Sequence, residues 1–270
     1  MDLFSAAIQI PEIPVNRMTE EDYNKWRIDY YNKKQGSLTG YNCSKCLNRG
    51  FFYFMDAEGY ERQKECECMK TRRSYTAIAN SGLADLVETR TFEAFNASED
   101  WQQRMKATAI HYTKVSKEEW LFVSGQSGCG KTHICTAVCR HLMENGRTVK
   151  YMLWNDIFQK LEANKYNDER YSEFMKELKS VDVLYIDDFL KTEIKNNVYV
   201  EPPIAEVKQG YNVINARYLA NKKTIVSAEF FIDEMSKIDC AIAGRIKQKC
   251  GNYCIQSKRE ETRNYRLKGI

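Results

Sequence analysis

The chain has 270 residues, with 41 Lys and Arg against 37 Asp and Glu, and its formal net charge is only +4. This balance neither demands nor opposes a nucleic-acid partner. No run of about 18 apolar residues occurs, which predicts no membrane span, and residues 1–13 lack the basic start of a signal peptide. Ten cysteines, four of them close together, indicate a reducing cytoplasm with one metal site more than a disulfide-bonded secreted protein.

The first predicted element is a helix that begins near Thr19, after an irregular stretch over residues 1–18. Thr19 is a capping residue followed by acids, which is typical of a helix start. Tyr23, Trp26 and Tyr30 then share one face of the helix. This aromatic face fits equally well a docking site for a partner and a surface that packs on the neighbouring cysteine segment.

A cysteine module follows, from Tyr41 to about Arg73. Its cysteines form a C-x-x-C pair and a C-x-C pair, and they are Cys43, Cys46, Cys66 and Cys68. Between the pairs, predicted strands at Phe51–Phe54 and Tyr60–Gln63 are joined by a turn at Asp56–Gly59, which indicates a β-hairpin. A segment this short cannot build a core of its own, so a metal bound by four thiolates would stabilise its fold. Zinc is the favoured ion, and free thiols or an iron–sulfur cluster are the alternatives.

The remainder of the chain alternates strands and helices. A connecting segment over residues 74–96 leads to a helix at about 99–115, and strands and helices then alternate up to about residue 249. Such alternation predicts an α/β domain, with a parallel sheet and helices on both faces. The sequence therefore predicts an N-terminal region over residues 1–80, with its zinc module at 41–73, and a second domain over residues 81–270.

A glycine-rich loop lies between the first predicted strand of that domain and the following helix. It matches the P-loop pattern G-x-x-x-x-G-K-[ST] in full and consists of Gly125, Gln126, Ser127, Gly128, Cys129, Gly130, Lys131 and Thr132. Backbone amides of such loops bind phosphates, Lys131 would contact the β- and γ-phosphates, and Thr132 would bind Mg²⁺. The loop predicts ATP as cofactor. Cys129 is interpreted as a small filler residue, although a thiol near a helix N-terminus can be reactive.

The strand predicted at 181–186 ends in two carboxylates, Asp187 and Asp188. Together with the P-loop, this apolar strand forms the Walker B pattern. Asp187 would hold Mg²⁺ through its water shell, and Asp188 would orient or activate the attacking water.

These motifs resemble those of AAA+ ATPases, and with the cysteine module they resemble the DnaC/DnaI-type helicase loaders, especially phage-like members. The resemblance implies that Ser227, at the end of the strand 224–227, is the polar sensor 1 residue, and that Arg245 is an arginine finger acting on a neighbouring subunit. Asp188 stands where many AAA+ proteins carry Glu. The short stretch after Arg245 predicts that a full C-terminal lid is lacking, so that only Arg263 or Arg266 could replace a sensor 2 arginine.

The resemblance implies a cytoplasmic ATPase in a bacterium or a phage-infected cell, one that hydrolyses ATP slowly and responds to its partners. Those partners would be a hexameric replicative helicase, single-stranded DNA and further copies of the chain. A transposition-helper ATPase of the IstB kind, a small-molecule P-loop kinase and a zinc adaptor with an inactive ATPase are the alternatives. The intact Lys131, Thr132 and Asp187 argue against the last of these.

Overall fold

The computed structural model describes residues 18–39, 41–80, 84–195 and 198–266, so residues 1–17 of the irregular stretch predicted over residues 1–18 lie outside the described residues. The chain divides into two compact units, one up to Met69 and one from Lys70 onward. The sequence placed the corresponding boundary further along, near residue 80. Across the part of the chain that the structure describes, no helix combines the length and the apolar character that a membrane crossing requires.

The first unit contains one helix and one hairpin. Helix α1, Glu20–Asn32, begins as predicted after Thr19, whose hydroxyl accepts a hydrogen bond from the Asp22 amide at 3.1 Å. Strands β1, Phe51–Met55, and β2, Glu61–Glu65, pair antiparallel. At the end of α1, the Asn32 carboxamide bonds the Tyr53 carbonyl at 2.8 Å and the Tyr53 amide at 3.0 Å. The helix end is thereby fixed to the middle of strand β1.

The segment over residues 74–96, predicted as a connection, is largely helical instead. Helix α2, Cys68–Asn80, and helix α3, Ala84–Thr89, occupy most of it. The end of α3 is stabilised from outside its own sequence, because the Arg140 guanidinium donates to the carbonyls of Val87 and Glu88 at 3.3 and 3.2 Å. A hydrogen-bond donor that is distant in sequence leaves no local pattern near the helix end. The sequence therefore wrongly predicted a connecting segment here.

The second unit is built on the predicted parallel sheet, whose strands are β3 Leu121–Ser124, β4 Val149–Leu153, β5 Val183–Asp187, β8 Lys223–Ala228 and β9 Cys254–Gln256. Their order across the sheet is β4-β5-β8-β3-β9. The helices are α4 Asp100–Thr113, α5 Lys131–Glu144, α6 Trp154–Ala163, α7 Asp168–Ser180, α8 Ile204–Leu219, α9 Ile232–Ile238 and α10 Cys240–Cys250. A small antiparallel pair, β6 Ile194–Lys195 and β7 Val198–Tyr199, follows β5. Strand β9 was not predicted.

Both faces of this sheet are buried. Val183 and Tyr185 of strand β5 belong to an apolar cluster on one face, and Leu184 and Ile186 belong to the cluster on the other. Side chains of a strand alternate between faces, so an unbroken apolar strand signals burial on both sides. The fold therefore confirms the predicted α/β architecture, and the carboxyl ends of β3, β5 and β8 lie side by side at one edge.

Candidate functional site

The P-loop joins strand β3 to helix α5. Gly128 and Gly130 adopt φ angles of 79° and 94°, which glycine accommodates without strain. The Lys131 ammonium donates to the carbonyls of Gly125 and Gln126 at 2.9 and 3.0 Å. Its charge is therefore held inside the loop, where the amides at the start of α5 also favour an anion.

Asp187 is the centre of a hydrogen-bonded cluster at the end of strand β5. Its carboxylate is buried and accepts hydrogen bonds from the hydroxyls of Thr132 at 3.1 Å, Tyr151 at 3.2 Å and Ser227. Side chains from strands β4 and β8 and from helix α5 thus donate hydrogen bonds to one carboxylate at the end of β5. Burial and the neighbouring Asp187 charge raise the pKa of Tyr151, which keeps the phenol protonated as a donor. Oxygen groups in this arrangement suit a hard divalent cation.

Asp188 follows directly and faces the open side of the site. Its φ of 53° lies in the left-handed region, which Asp tolerates better than most residues. Its amide donates to the Ser227 hydroxyl at 3.1 Å, and its carboxylate pairs with the Lys191 ammonium at 2.8 Å. Burial opposes the charge of Lys191, but the hydrogen bond to Asp188 prevails and raises the pKa of the lysine. Asp188 is therefore a fixed acceptor beside the P-loop.

A cavity of about 430 Å³ opens over these groups. It is lined by P-loop residues 127–132, by His133, Asp188 and Lys191, and by residues outside the predicted motifs, among them Leu86, Arg90, Phe95, Gln102, Tyr265 and Arg266. Its size falls in the range of small-molecule sites, and its lining combines basic side chains, P-loop backbone and apolar side chains. The sequence predicted the P-loop and Asp188 and named Arg266 as a possible replacement for a sensor 2 arginine. It missed the lining residues between 86 and 102, because no spacing pattern connects them with the loop.

Ser227 and Arg245, the sensor 1 residue and the arginine finger that the resemblance implies, lie in different parts of the domain. Ser227 is fully buried and contacts Asp187 and Asp188, so it holds both Walker B residues. Glu229, just beyond it, is buried and lies 3.7 Å from Lys191. Arg245 does not line the cavity. Its guanidinium donates to the Asn215 side chain at 3.0 Å and lies 5.0 Å from the Tyr211 ring centroid.

Cys129 lies in the P-loop with its side chain buried. Burial raises the pKa of this thiol above its ordinary value, and the nearby Lys131 charge only partly opposes that effect. A protonated, buried thiol is a poor nucleophile. The geometry therefore favours Cys129 as a small packing residue of the loop.

The four clustered cysteines converge in the first unit. Their sulfurs all lie within 4.8 Å of one another and all four side chains are buried. The separations are 3.9 Å for Cys43 and Cys66 and 3.5 Å for Cys46 and Cys68. Tetrahedral Zn–S bonds of about 2.3 Å place sulfurs roughly 3.8 Å apart, so the cluster fits a four-thiolate metal site.

Hydrogen bonds around Cys46 favour its thiolate. Burial opposes ionisation of Cys46, but the Gly50 amide donates to its sulfur at 3.3 Å and the neighbouring thiols bond to it, and together they lower the pKa of Cys46 to about 7. Amide donors of this kind stabilise the negative charge of a metal-bound sulfur.

The comparisons with known proteins agree with this geometry. Residues 86–250 match the family model described as the bacterial DnaA ATPase domain. Among relatives, Bacillus subtilis (strain 168) YqaM is 30% identical over 203 residues, covering 71% of this chain and 62% of YqaM. The phage-like element PBSX protein XkdC of the same strain is 28% identical over 249 residues, covering 87% of this chain and 90% of XkdC.

Among solved structures, AMPPCP-bound DnaA from Aquifex aeolicus is similar in fold, with a TM-score of 0.50 and 19% identity. The match covers 66% of this chain and 52% of that one, so the chain spans about half the length of this solved relative. The resemblance inferred from the motifs is confirmed at the level of the family.

Proposed function

Because the chain belongs to the family of the bacterial DnaA ATPase domain and is a replication-related AAA+ ATPase, we propose that it is an ATP-switched loader of a replicative helicase. The observation that carries the proposal is the cluster of Thr132, Asp187, Asp188 and Ser227 beside the Lys131 ammonium. This arrangement contains the groups that phosphoryl transfer to water requires, namely a phosphate cradle, a cation site and an acceptor for the attacking water.

In the proposed reaction, the P-loop amides and Lys131 bind the phosphates of ATP. Thr132 and Asp187 would hold Mg²⁺, and the ion would supply positive charge to offset the charge that develops on the phosphates. Asp188 accepts a hydrogen bond from the attacking water and orients it in line with the bond that breaks. Ser227 and Tyr151 fix the Asp187 carboxylate, so little reorganisation accompanies the reaction.

Substitutions at two positions test this assignment. Lys131→Ala should weaken ATP binding by about tenfold or more, because a charged hydrogen-bond donor to the phosphates is lost. Asp187→Ala should remove Mg²⁺-dependent turnover. Titration with ATP in the presence of Mg²⁺ and a phosphate-release assay measure both, with Lys176→Ala, an exposed lysine of helix α7, as the control. Wild-type ATP affinity in both variants would show that the site is misassigned.

The cysteine cluster is proposed to hold zinc through Cys43, Cys46, Cys66 and Cys68. The metal would supply a structural crosslink between the two cysteine pairs, and the region over residues 1–80 would use this folded module to bind the hexameric helicase. The ATPase domain would contact single-stranded DNA in the bacterial cytoplasm. Elemental analysis tests the metal, and iron in place of zinc would assign the site to an iron–sulfur cluster.

Partner specificity decides between the loader and other P-loop proteins. A loader should be retained by the host replicative helicase in a pull-down, and its ATP turnover should rise with single-stranded DNA or with the helicase. Loss of retention after removal of residues 1–69, with ATP binding intact, would support the N-terminal region as the contact. Turnover that responds only to a small phosphate acceptor would instead indicate a kinase.

Arg245 is proposed to act on the nucleotide of a neighbouring copy. Its guanidinium would exchange its contacts with Asn215 and Tyr211 for the γ-phosphate of that copy. An arginine supplied in trans contributes roughly 10³- to 10⁵-fold to turnover in well-characterised systems. The turnover per molecule should therefore rise with protein concentration, and Arg245→Ala should abolish the rise while ATP binding stays near normal.

Mixing Arg245→Ala with Lys131→Ala sharpens this test. Each variant is inactive for a different reason, so a mixed interface restores one intact pocket facing one intact arginine. Partial recovery of turnover supports the shared site. A wild-type, concentration-dependent rate in Arg245→Ala alone would show that Arg245 serves only its contacts within the chain.

A further inference from the structure

Residues 188–191, here called the Walker B turn, reverse the chain directly after strand β5. The Lys191 amide donates to the Asp188 carbonyl at 3.1 Å, and this hydrogen bond closes the turn. Asp188 and Leu190 both lie in the left-handed region, with φ angles of 53° and 52°. Bulky side chains such as leucine are rare in that region, and such conformations occur often at functional sites. The turn brings Lys191 back to the side of Asp188.

Buried contacts hold the Walker B turn in this conformation. Phe189 and Leu190 are fully buried and belong to the apolar cluster on one face of the sheet. The Phe189 amide also donates to the Ser227 carbonyl at 2.8 Å, which fixes the turn to strand β8. Because the backbone is anchored on both the core and the neighbouring strand, the side chain of Lys191 starts from a fixed point at the edge of the cavity.

The Lys191 ammonium lies between two carboxylates. It is 2.8 Å from Oδ2 of Asp188 and 3.7 Å from Oε1 of Glu229. The Glu229 side chain is only 5% exposed, whereas that of Lys191 is 42% exposed and lines the cavity over the P-loop. A buried carboxylate is costly unless a cation or hydrogen-bond donors offset its charge. Glu229 therefore anchors the ammonium from the interior, and Asp188 contacts it at the cavity.

This ion pair also bears on the short side chain at position 188. Asp188 has one methylene fewer than the Glu that many AAA+ proteins carry there, so its carboxylate reaches less far into the site. Lys191 pairs with Oδ2, which leaves Oδ1 as the oxygen that can accept a hydrogen bond from water. Charge-assisted hydrogen bonds are short and strong, so the ammonium limits the orientations that the carboxylate can adopt.

We propose that Lys191 is a positioning residue for ATP hydrolysis, which Glu229 anchors and which fixes the Asp188 carboxylate so that its second oxygen receives the attacking water. The inference rests on the proposed ATPase function and adds two residues to its site. Lys191 acts on Asp188 and not on the phosphates, in contrast to Lys131. Its loss should therefore lower the rate of hydrolysis and leave the affinity for ATP unchanged.

Steady-state turnover and ATP titration of the full chain with Mg²⁺ test this role. Lys191→Met keeps the length of the side chain and removes its charge. It should lower kcat by about tenfold, a part of the roughly 10²- to 10⁴-fold that a positioned base contributes. The Kd for ATP should stay within about twofold of the wild type, because no ground-state contact to the nucleotide is lost. Lys191→Arg, which can still pair with both carboxylates, should recover most of the rate.

Lys208→Met is the matched control, because it makes the same change at an exposed lysine of helix α8. It should leave both kcat and the Kd for ATP unchanged. Three results for Lys191→Met would overturn the proposal. An unchanged kcat would mean that Asp188 is positioned without the lysine, and a higher kcat would mean that the ion pair restrains Asp188 from reacting. A Kd that rises as much as kcat falls would make Lys191 a ligand of the phosphates.

A double-variant cycle tests whether Glu229 acts through Lys191. Glu229→Gln keeps the shape of the side chain and removes the anchoring charge, and it should lower kcat by about threefold. Combined with Lys191→Met, it should lower kcat no further than Lys191→Met alone, because the ammonium that it anchors is already absent. Losses that multiply in the double variant would contradict an anchoring role for Glu229.

The Asp187→Ala variant separates the two levels of failure. If Asp187→Ala keeps Mg²⁺-dependent turnover, the proposed ATPase site itself is misassigned. If Asp187→Ala loses turnover and Lys191→Met keeps it, only the role of Lys191 is wrong.

Discussion

The unit from Lys70 onward and the unit up to Met69 are stabilised by different means. The larger unit buries two apolar clusters, one on each face of its parallel sheet. In the smaller unit, the buried cluster consists of four thiols with Tyr41, Phe52 and Met69 packed against them, and strand β2 is exposed along its whole length. One unit thus has the apolar burial that folding requires, and the other has mainly metal ligands.

Because of this difference, a substitution should destabilise each unit in a different way. Loss of a side chain from the sheet core costs a fraction of a large apolar contribution, whereas loss of a single thiol removes most of the free energy that a bound metal would provide. The two units should therefore respond independently, one to chelators and the other to core substitutions. The following substitutions test that separation.

The largest effect is expected at the cysteine cluster. Cys66→Ser or chelation should unfold the hairpin region, because structural zinc sites of this kind contribute on the order of 10–16 kcal/mol of binding free energy. Zinc content and hydrogen exchange of strands β1 and β2 measure the change, and ATP affinity should stay unchanged. Cys240→Ser, at an exposed cysteine of helix α10, is the control and should retain the metal. A hairpin that stays protected without metal would mean that its own packing suffices.

A core substitution should have a smaller effect, confined to the other unit. Ile214→Ala in helix α8 removes a fully buried side chain and should lower the free energy of unfolding by about 2–5 kcal/mol. Ile204→Ala lies in the same helix, at a side chain that is 89% exposed, and should change it by no more than about 0.5 kcal/mol. Denaturant unfolding measures both. Zinc loss in Ile214→Ala would show that the units do not fold independently.

The smallest effect is expected at the hydrogen-bonded cluster of the site. Tyr151→Phe removes one donor to Asp187 and should lower the free energy of unfolding by about 1 kcal/mol. ATP turnover should fall more than ATP affinity, since the carboxylate that holds the metal loses a positioning contact. Tyr166→Phe, at a side chain that is 93% exposed, is the control and should be silent in both assays. Unchanged turnover in Tyr151→Phe would remove this residue from the site.

Motifs that act locally were predictable from the sequence. The P-loop, the Walker B carboxylates and helix α5, Lys131–Glu144, follow from residue types at fixed spacing, and the structure places Thr132 against Asp187 as that pattern requires. The cysteine pairs were equally predictable, because thiols at two turns have few other reasons to cluster.

Features that depend on distant contacts were not predictable. Strand β9 has three residues and becomes a strand only through its pairing with β3. Tyr151 contacts Asp187 because β4 lies beside β5, an order of strands that the sequence does not state. Helix α3 needs the Arg140 guanidinium at its end. In each case the missing information is which segment lies next to which, and local propensity carries little of it.

The pairing of β9 with β3 also bears on how the protein is made. Strand β3 carries the P-loop, and its neighbours Val226 in β8 and Cys254 in β9 are both synthesised more than a hundred residues after Phe122. Contacts of such long sequence separation form slowly. The growing chain on the ribosome therefore cannot complete the strand behind the P-loop until the residues up to Gln256 have emerged. Until then β3 has an unpaired edge, which is the stage at which nascent chains are prone to aggregate.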